Sequence, residues 1–327
     1  MGRKPEAPLS HILLRLAGAL AAVAGMLMPS VVLAAPKPTP KELKAQLARL
    51  NEQAEKLTEQ YNGRRVELAA AKRESRRLNT EAARIEQRYA QVREATRALA
   101  NTSYMNGSLA SPSLAMAGGD PRAVLSAASL TAQFSQQWGM QLKDALRLQD
   151  QVEQARERAN AHKKQLGNLV SDLAGKKQRI EKLIEEVKAK IEQLGPPPVA
   201  DLPTVSVEGQ GKAAEAARWA VSQVGKPYVW GAAGPNSFDC SGLMLWAYSK
   251  VGINLPHYTG AQWQLGTRVP SMDQLQVGDI VFFYSDLHHN GMYVGDGMMV
   301  HAPQTGDVVK IVSIKTRPFM GGVRLVS

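Results

Sequence analysis

The sequence predicts an α+β protein in two parts: a long antiparallel α-helical hairpin, then a smaller domain in which helices pack on an antiparallel sheet. Two observations carry this. Between Leu43 and Leu194 the apolar residues form two heptad seams, broken by polar positions at Arg64, Ser75 and Thr96 in the first and His162, Lys176 and Lys190 in the second. From Lys212 onward two amphipathic segments are followed by a series of short β-type runs. At 327 residues the chain has room for about two domains.

The N-terminus reads as an export signal. Arg3, Lys4 and Arg15 precede an uncharged run from Leu16 to Ala34 that ends Val32-Leu33-Ala34, with small residues where a signal peptidase reads. Cleavage is expected after Ala34, giving a signal peptide over residues 1–34. An uncleaved anchor is the competing reading, but Pro29 and the alanine-rich composition argue against it.

The hairpin occupies residues 35–194. Its first seam runs through Leu43, Leu47, Leu50, Ala54, Leu57 and Tyr61 and continues to Leu99; its second runs from Val152 to Leu194, extended upstream by Phe134, Trp138, Ala145 and Leu148. Between them, Asn106-Gly107, Ser111-Pro112 and Gly118-Gly119-Asp120-Pro121 forbid a continuous helix, so the chain turns there. Two helices of ~60 residues, each about 90 Å long, would then pack back to back. An intermolecular coiled coil is the alternative. His162, at a seam position, reads as a tolerated polar residue.

The net charge is +11, and its excess lies in the middle of the chain. Residues 35–211 hold 28 Lys and Arg against 21 Asp and Glu, whereas residues 212–327 hold 9 against 7. The signs are mixed and no nucleic-acid motif accompanies them, so the basicity reads as a solvated helix face, with no nucleic-acid partner. Gly195-Pro196-Pro197-Pro198 opens a linker over residues 195–211.

The domain from 212 to 327 starts with helices at Ala213–Val224 and Cys240–Val251, each closed by a glycine. Strands are expected at Asp279–Tyr284, Gly291–Val294, Met298–His301, Val308–Ile314 and Gly322–Val326. Cys240 is the sole cysteine, so it cannot form an internal disulfide and is either a buried hydrophobe or a reactive thiol. Its place at a helix start favours the thiol: free backbone N–H groups and the helix dipole would lower its pKa and can receive an oxyanion. Setting aside His11 in the signal and His162 in the hairpin leaves His257, His288, His289 and His301. An odd-length loop centred on Gly295 would set His289 beside His301, a base and its orienting partner; a two-residue Asp296-Gly297 turn would instead set Met292 opposite His301. His288 would face away from His289. Zinc held by Cys240, His289 and His301 is disfavoured, because the spacing lacks close ligand pairs, and no metal or other cofactor is expected.

These residues carry a family resemblance. The runs Pro227-Tyr228-Val229-Trp230-Gly231, Gly234-Pro235 and Phe238-Asp239-Cys240-Ser241-Gly242-Leu243 resemble the signature of NlpC/P60 cysteine peptidases. Leu255-Pro256, Gln262, Gly266, Leu275, Gly278-Asp279, Val281-Phe282-Phe283, His289 with Gly291-Met292-Tyr293-Val294-Gly295, and His301-Ala302-Pro303 follow in order. Ala232, where a glycine is common, and Asn290, where an aliphatic residue is common, depart from the pattern.

The resemblance implies a papain-like fold with Cys240 as nucleophile, His289 as general base and His301 as the residue that orients it. It also implies that Tyr228, Asp239 and Ser241 bind substrate. The implied substrate is the peptide stem of bacterial peptidoglycan, commonly cut between D-glutamate and meso-diaminopimelate, by a secreted enzyme at the cell wall or the extracytoplasmic face of the membrane. A helical hairpin ahead of such a domain resembles actinobacterial and other Gram-positive cell-wall hydrolases, where it regulates the enzyme or docks on a membrane or divisome partner. The linker is long enough to let the hairpin fold back over the site. A non-catalytic peptidoglycan-binding or divisome adaptor is the alternative function.

Overall fold

The computed structural model describes residues 38–105, 121–195, 203 and 205–326. The expected signal peptide at 1–34, the turn sequence at 106–120 and most of the proline-rich stretch after Gly195 lie outside the described residues. No helix among the described residues is long and apolar enough to cross a membrane.

Helix α1 spans Pro40–Met105, 66 residues, and helix α2 spans Pro121–Leu194, 74 residues. At 1.5 Å per residue they are about 100 and 110 Å long. Thr39 and Glu42 start α1 with a capping box: Thr39 N donates to Glu42 Oε2 at 2.7 Å, and Glu42 N donates to Thr39 Oγ1 at 3.3 Å. The two helices pair antiparallel within the chain. Arg64 meets Asp172 at 3.1 Å, Lys176 meets Gln60 at 3.1 Å, and Arg156 meets Glu86 at 2.6 Å. Leu43, Ala54 and Ala82 are buried on α1, and Leu148, Val152, Leu173, Ile180 and Val187 on α2. His162 is tolerated on the seam because its Nε2 lies 2.9 Å from the carbonyl of Ala71.

The C-terminal part carries α3 (Gly211–Val221), α4 (Cys240–Ser249) and the short α5 (Thr259–Trp263). Its sheet is antiparallel throughout, with strands β1 (Thr267–Val269), β2 (Ile280–Phe283), β3 (His289–Gly295), β4 (Met298–His301), β5 (Lys310–Ser313) and β6 (Phe319–Arg324). The spatial order is β1-β6-β2-β3-β4-β5. Five of the strands lie where alternation and turn residues point. β1 does not announce itself, because only Val269 of its three residues is buried.

Helix α4 is apolar nearly all round because it is the centre of the domain. Leu243, Met244, Ala247 and Tyr248 are fully buried with Ile280, Phe282, Met292 and Val300 of the sheet. Tyr248 satisfies its hydroxyl by donating to the carbonyl of Gly278 at 2.6 Å. The core therefore fixes the first turn of α4 against the centre of the sheet, where β3 and β4 begin and end.

Candidate active site

The first turn of α4 is built by Asp239. As N-cap, it accepts from Gly242 N at 2.7 Å through Oδ1, from His257 Nε2 at 2.7 Å through the same oxygen, and from Gly231 N at 2.9 Å through Oδ2. Gly242 has no alternative at its position, since a Cβ there would stand 2.1 Å from the carbonyl oxygen of Ala232. Cys240 thus opens the helix as expected, and it is fully buried.

β3 and β4 bring the two histidines together by a route that neither expected register describes. Met292 pairs with Val300 and Tyr293 with Met299, then a bulge before Gly295 shifts the pairing so that Gly295 faces Met298. His289 and His301 are therefore diagonal rather than opposite. Gly291 lies between them, and a Cβ on it would come within 3.1 Å of His301 Cβ. Its missing side chain lets the rings meet: His289 Nε2 is 2.8 Å from His301 Nδ1. Cys240 Sγ lies within 4.8 Å of a donor atom of His289. His288 is elsewhere, stacked on Tyr284 at 4.1 Å and bonded to Asp286.

The unexpected residues come from α1. Glu55, Glu59 and Asn62 project from the hairpin into the site and are buried there. Glu59 Oε1 accepts from Ser241 Oγ at 2.7 Å and from Cys240 Sγ at 3.6 Å, while Oε2 accepts from Thr259 N at 2.7 Å and Thr259 Oγ1 at 2.8 Å. Asn62 donates to Asp239 Oδ2 at 2.9 Å. Glu55 bonds His289 Nδ1. Around these, Tyr61 packs edge-on to Trp230 at 5.3 Å, and Arg65 reaches the carbonyl of Gly231 at 3.5 Å.

Burial sets the protonation of this cluster. It pushes the Glu55 carboxyl up to about 8 and drives His289 and His301 well below the usual imidazole range. Burial therefore disfavours the charged forms of both partners in the Glu55–His289 contact, and with them the ion pair. His301 Nε2 is buried and has no partner among the described residues. Glu59 is raised by burial and by the Asp239 charge. His257 loses basicity to burial, but the Asp239 charge and hydrogen bond more than offset it and raise its pKa.

Cys240 departs from expectation. Its thiol is pushed well above the ordinary range by burial first, then by Glu59, Asp239 and Glu55. The helix N-terminus is present, but under α1 it is outweighed by desolvation and three carboxyl groups. Tyr228, 6% exposed, is near enough that the Cys240 charge raises its hydroxyl pKa, after burial as the larger cause. Asp239 and Ser241, expected to bind substrate, bond Asn62 and Glu59 respectively. The two departures from the family pattern are both accommodated: Asn290 donates to Gln262 Oε1 at 2.7 Å, and Ala232 N donates to the carbonyl of Val229 at 3.1 Å.

The NlpC/P60 family model matches residues 225–323. A probable endopeptidase of Mycobacterium tuberculosis is 46% identical over 112 residues, 34% of this chain and 29% of that protein. A probable endopeptidase of Corynebacterium glutamicum is 44% identical over 128 residues, 39% of this chain and 59% of that protein. The peptidoglycan endopeptidase RipA of Mycolicibacterium smegmatis is 42% identical over 113 residues, 30% of this chain and 22% of that protein. The chain thus spans less than two thirds of the length of each of these relatives. The part of the chain that holds Cys240, His289 and His301 belongs to the NlpC/P60 family.

Proposed function

We propose that this chain is a secreted peptidoglycan endopeptidase that is latent while α1 covers its site. The observation that carries the reading is the double occupancy by one helix: Glu59 sits on Cys240 and Ser241 while Glu55 sits on His289. Three elements of the peptidase domain converge on one another, and α1 fills the place a substrate would take.

In the open enzyme Cys240 is the nucleophile, His289 the general base and His301 the residue that holds the ring. Departure of α1 removes the three largest influences that hold the thiol protonated apart from Asp239: burial, Glu59 and Glu55. The N-terminus of α4 then favours the thiolate. With Nε2 held by His301, His289 Nδ1 takes the thiol proton. Sγ attacks the scissile carbonyl carbon, the oxyanion forms against backbone N–H groups at the start of α4, and the proton passes to the leaving amine. Water then attacks the acyl-enzyme thioester, releasing the new carboxylate and restoring the thiol.

The substrate is a peptidoglycan stem, cut at the D-glutamyl–meso-diaminopimelate bond. Such stems carry carboxylates, and Ser241 Oγ with Thr259 N and Oγ1 already binds one in the closed form. Asp239 and Tyr228 complete the substrate-binding group. Export depends on residues 1–34 with cleavage after Ala34, and the rest of the hairpin is the docking surface through which a membrane or divisome partner lifts α1.

The test is digestion of purified peptidoglycan with mass spectrometry of the products. Glu55→Ala/Glu59→Ala should release stem fragments faster than the unaltered chain, and Cys240→Ala added to it should release none. Fragments from the Cys240→Ala chain, or equal rates without the two glutamates, would refute the respective halves of the reading.

A further inference from the structure

Glu55, Cys240 and His289 place a carboxylate oxygen, a sulfur and an imidazole nitrogen within 4.8 Å of one another, and all three residues are buried. This trio differs from the set of Cys240, His289 and His301 that sequence spacing argues against, because Glu55 arrives from the hairpin, 185 positions away from Cys240 in the chain. A tetrahedral zinc ion with bonds of about 2.0–2.3 Å places its ligand atoms about 3.3–3.8 Å apart. The trio lies within 4.8 Å, so an ion would draw its ligand atoms together by ~1 Å and take the place of the Glu55–His289 hydrogen bond.

Two further features suit an ion. His289 Nε2 is held by His301 Nδ1 at 2.8 Å, which orients the ring and leaves Nδ1, the nitrogen that Glu55 approaches, to bind. Imidazole ligands are characteristically fixed in this way through their second nitrogen. The donor set of one thiolate, one imidazole and one carboxylate selects a borderline-soft ion over magnesium or calcium, which take oxygen ligands.

We propose that the closed form of this chain binds one zinc ion at Glu55, Cys240 and His289, and that the ion latches the hairpin onto the peptidase domain. The inference rests on the reading of the closed form as latent and names a ligand that regulates it. Zinc is bound by the thiolate and carboxylate forms, so any proton on Cys240 or Glu55 leaves as the ion enters. One ligand belongs to α1 and two to the peptidase domain, so only the closed arrangement offers all three. An ion that binds one state alone shifts the equilibrium toward it by mass action.

The experiment uses the full, untagged chain stripped of metal. Zinc is titrated calorimetrically, and cobalt(II) serves as the optical probe because thiolate ligation gives it a charge-transfer band. Iodoacetamide labelling reads Cys240 alone, since it is the sole cysteine. One ion should bind per chain, the cobalt band should appear, and zinc should slow labelling at least about tenfold. Glu55→Gln keeps a donor for His289 Nδ1 and so keeps the cover, but should lose at least about tenfold in zinc affinity. Cys240→Ser should lose the band.

Absence of stoichiometric binding, or binding that neither substitution weakens, overturns the metal site. Labelling in the metal-free chain is a separate measurement of latency. Rapid labelling there refutes the covered-site reading, while slow labelling without zinc binding leaves latency standing and removes the ion.

Discussion

Helix α1 has two buried faces, and they are held by opposite means. Toward α2 it shares an apolar seam in which Leu43, Ala54 and Ala82 are buried along with Leu148, Leu173, Ile180 and Val187 of the other helix. Toward the peptidase domain it buries Asn51, Glu55, Thr58, Glu59 and Asn62. Apolar burial has no counterpart in water, at about 25 cal/mol per Å². Hydrogen bonds to Ser241, Thr259, His289 and Asp239 are exchanged for water at a net cost of about 0.5–1.5 kcal/mol each, and up to about 3 where a charge is involved. The seam is therefore the durable contact and the polar face the releasable one. One helix can stay paired with α2 while leaving the active site.

The largest break in this asymmetry comes from removing both carboxyls. In Glu55→Ala/Glu59→Ala, Cys240 labelling should accelerate at least about 50-fold, since the truncations together remove five hydrogen bonds to the peptidase domain of about 0.5–1.5 kcal/mol each. Circular dichroism should meanwhile show the helices intact. Loss of helix with the two substitutions would mean that the two faces are not separable.

The pH dependence sharpens the same point in metal-free buffer. Burial raises Glu55 from 4.5 to about 8 in the closed form, so closure takes up protons relative to the open form between those values. Its contribution is full below the ordinary carboxyl range, falls as pH rises toward 8 by up to about tenfold per pH unit, and is flat above. The ratio of labelling rates between the unaltered chain and Glu55→Gln, whose amide does not titrate, should rise across this window. A constant ratio would show that Glu55 does not hold its proton in the closed form.

A cut in the seam should act differently. Ile180 is fully buried, and Ile180→Ala should lower stability in chemical denaturation by about 2–4 kcal/mol. Cys240 labelling under native conditions should change less than about tenfold, far below the double glutamate variant. The smallest effect belongs to the rim, where Lys56 meets Asp286 at 3.6 Å with both side chains well exposed. Lys56→Ala should weaken the cover by less than about 1 kcal/mol, a change of severalfold at most in labelling.

Much of the site is legible in the chain because its chemistry is local. Cys240 follows its own N-cap, and Gly291 precedes the turn that returns the chain to His301. The pairing register was harder to read. A bulge between Tyr293 and Gly295 adds one position, and nothing in Met292-Tyr293-Val294-Gly295 distinguishes it from regular strand. A hairpin folding back over the site is an expectation the linker allows, but the residues that make the cover are not legible. Glu55, Glu59 and Asn62 recur at helical spacing, which marks one face, but charged and amide residues on a helix ordinarily face water. Only the distant partners Cys240, Ser241, Thr259 and His289 show that this face is internal. The same fact reverses the expected Cys240 pKa: the helix start is encoded beside the thiol, as is the Asp239 charge, whereas the burial under α1 and the Glu59 and Glu55 carboxyls arrive from far upstream.

The sole cysteine at the bottom of this contact has a consequence for how the protein ages. Oxidation to sulfenic acid and then to irreversible forms requires an accessible thiolate, and the ladder has no internal rescue in a chain without a second cysteine. Under α1, Cys240 is fully buried and its thiol pKa is raised, so both access and ionisation are disfavoured. In the latent form proposed above, the cover would preserve undamaged enzyme between synthesis and use, and oxidative wear would begin when the hairpin lifts.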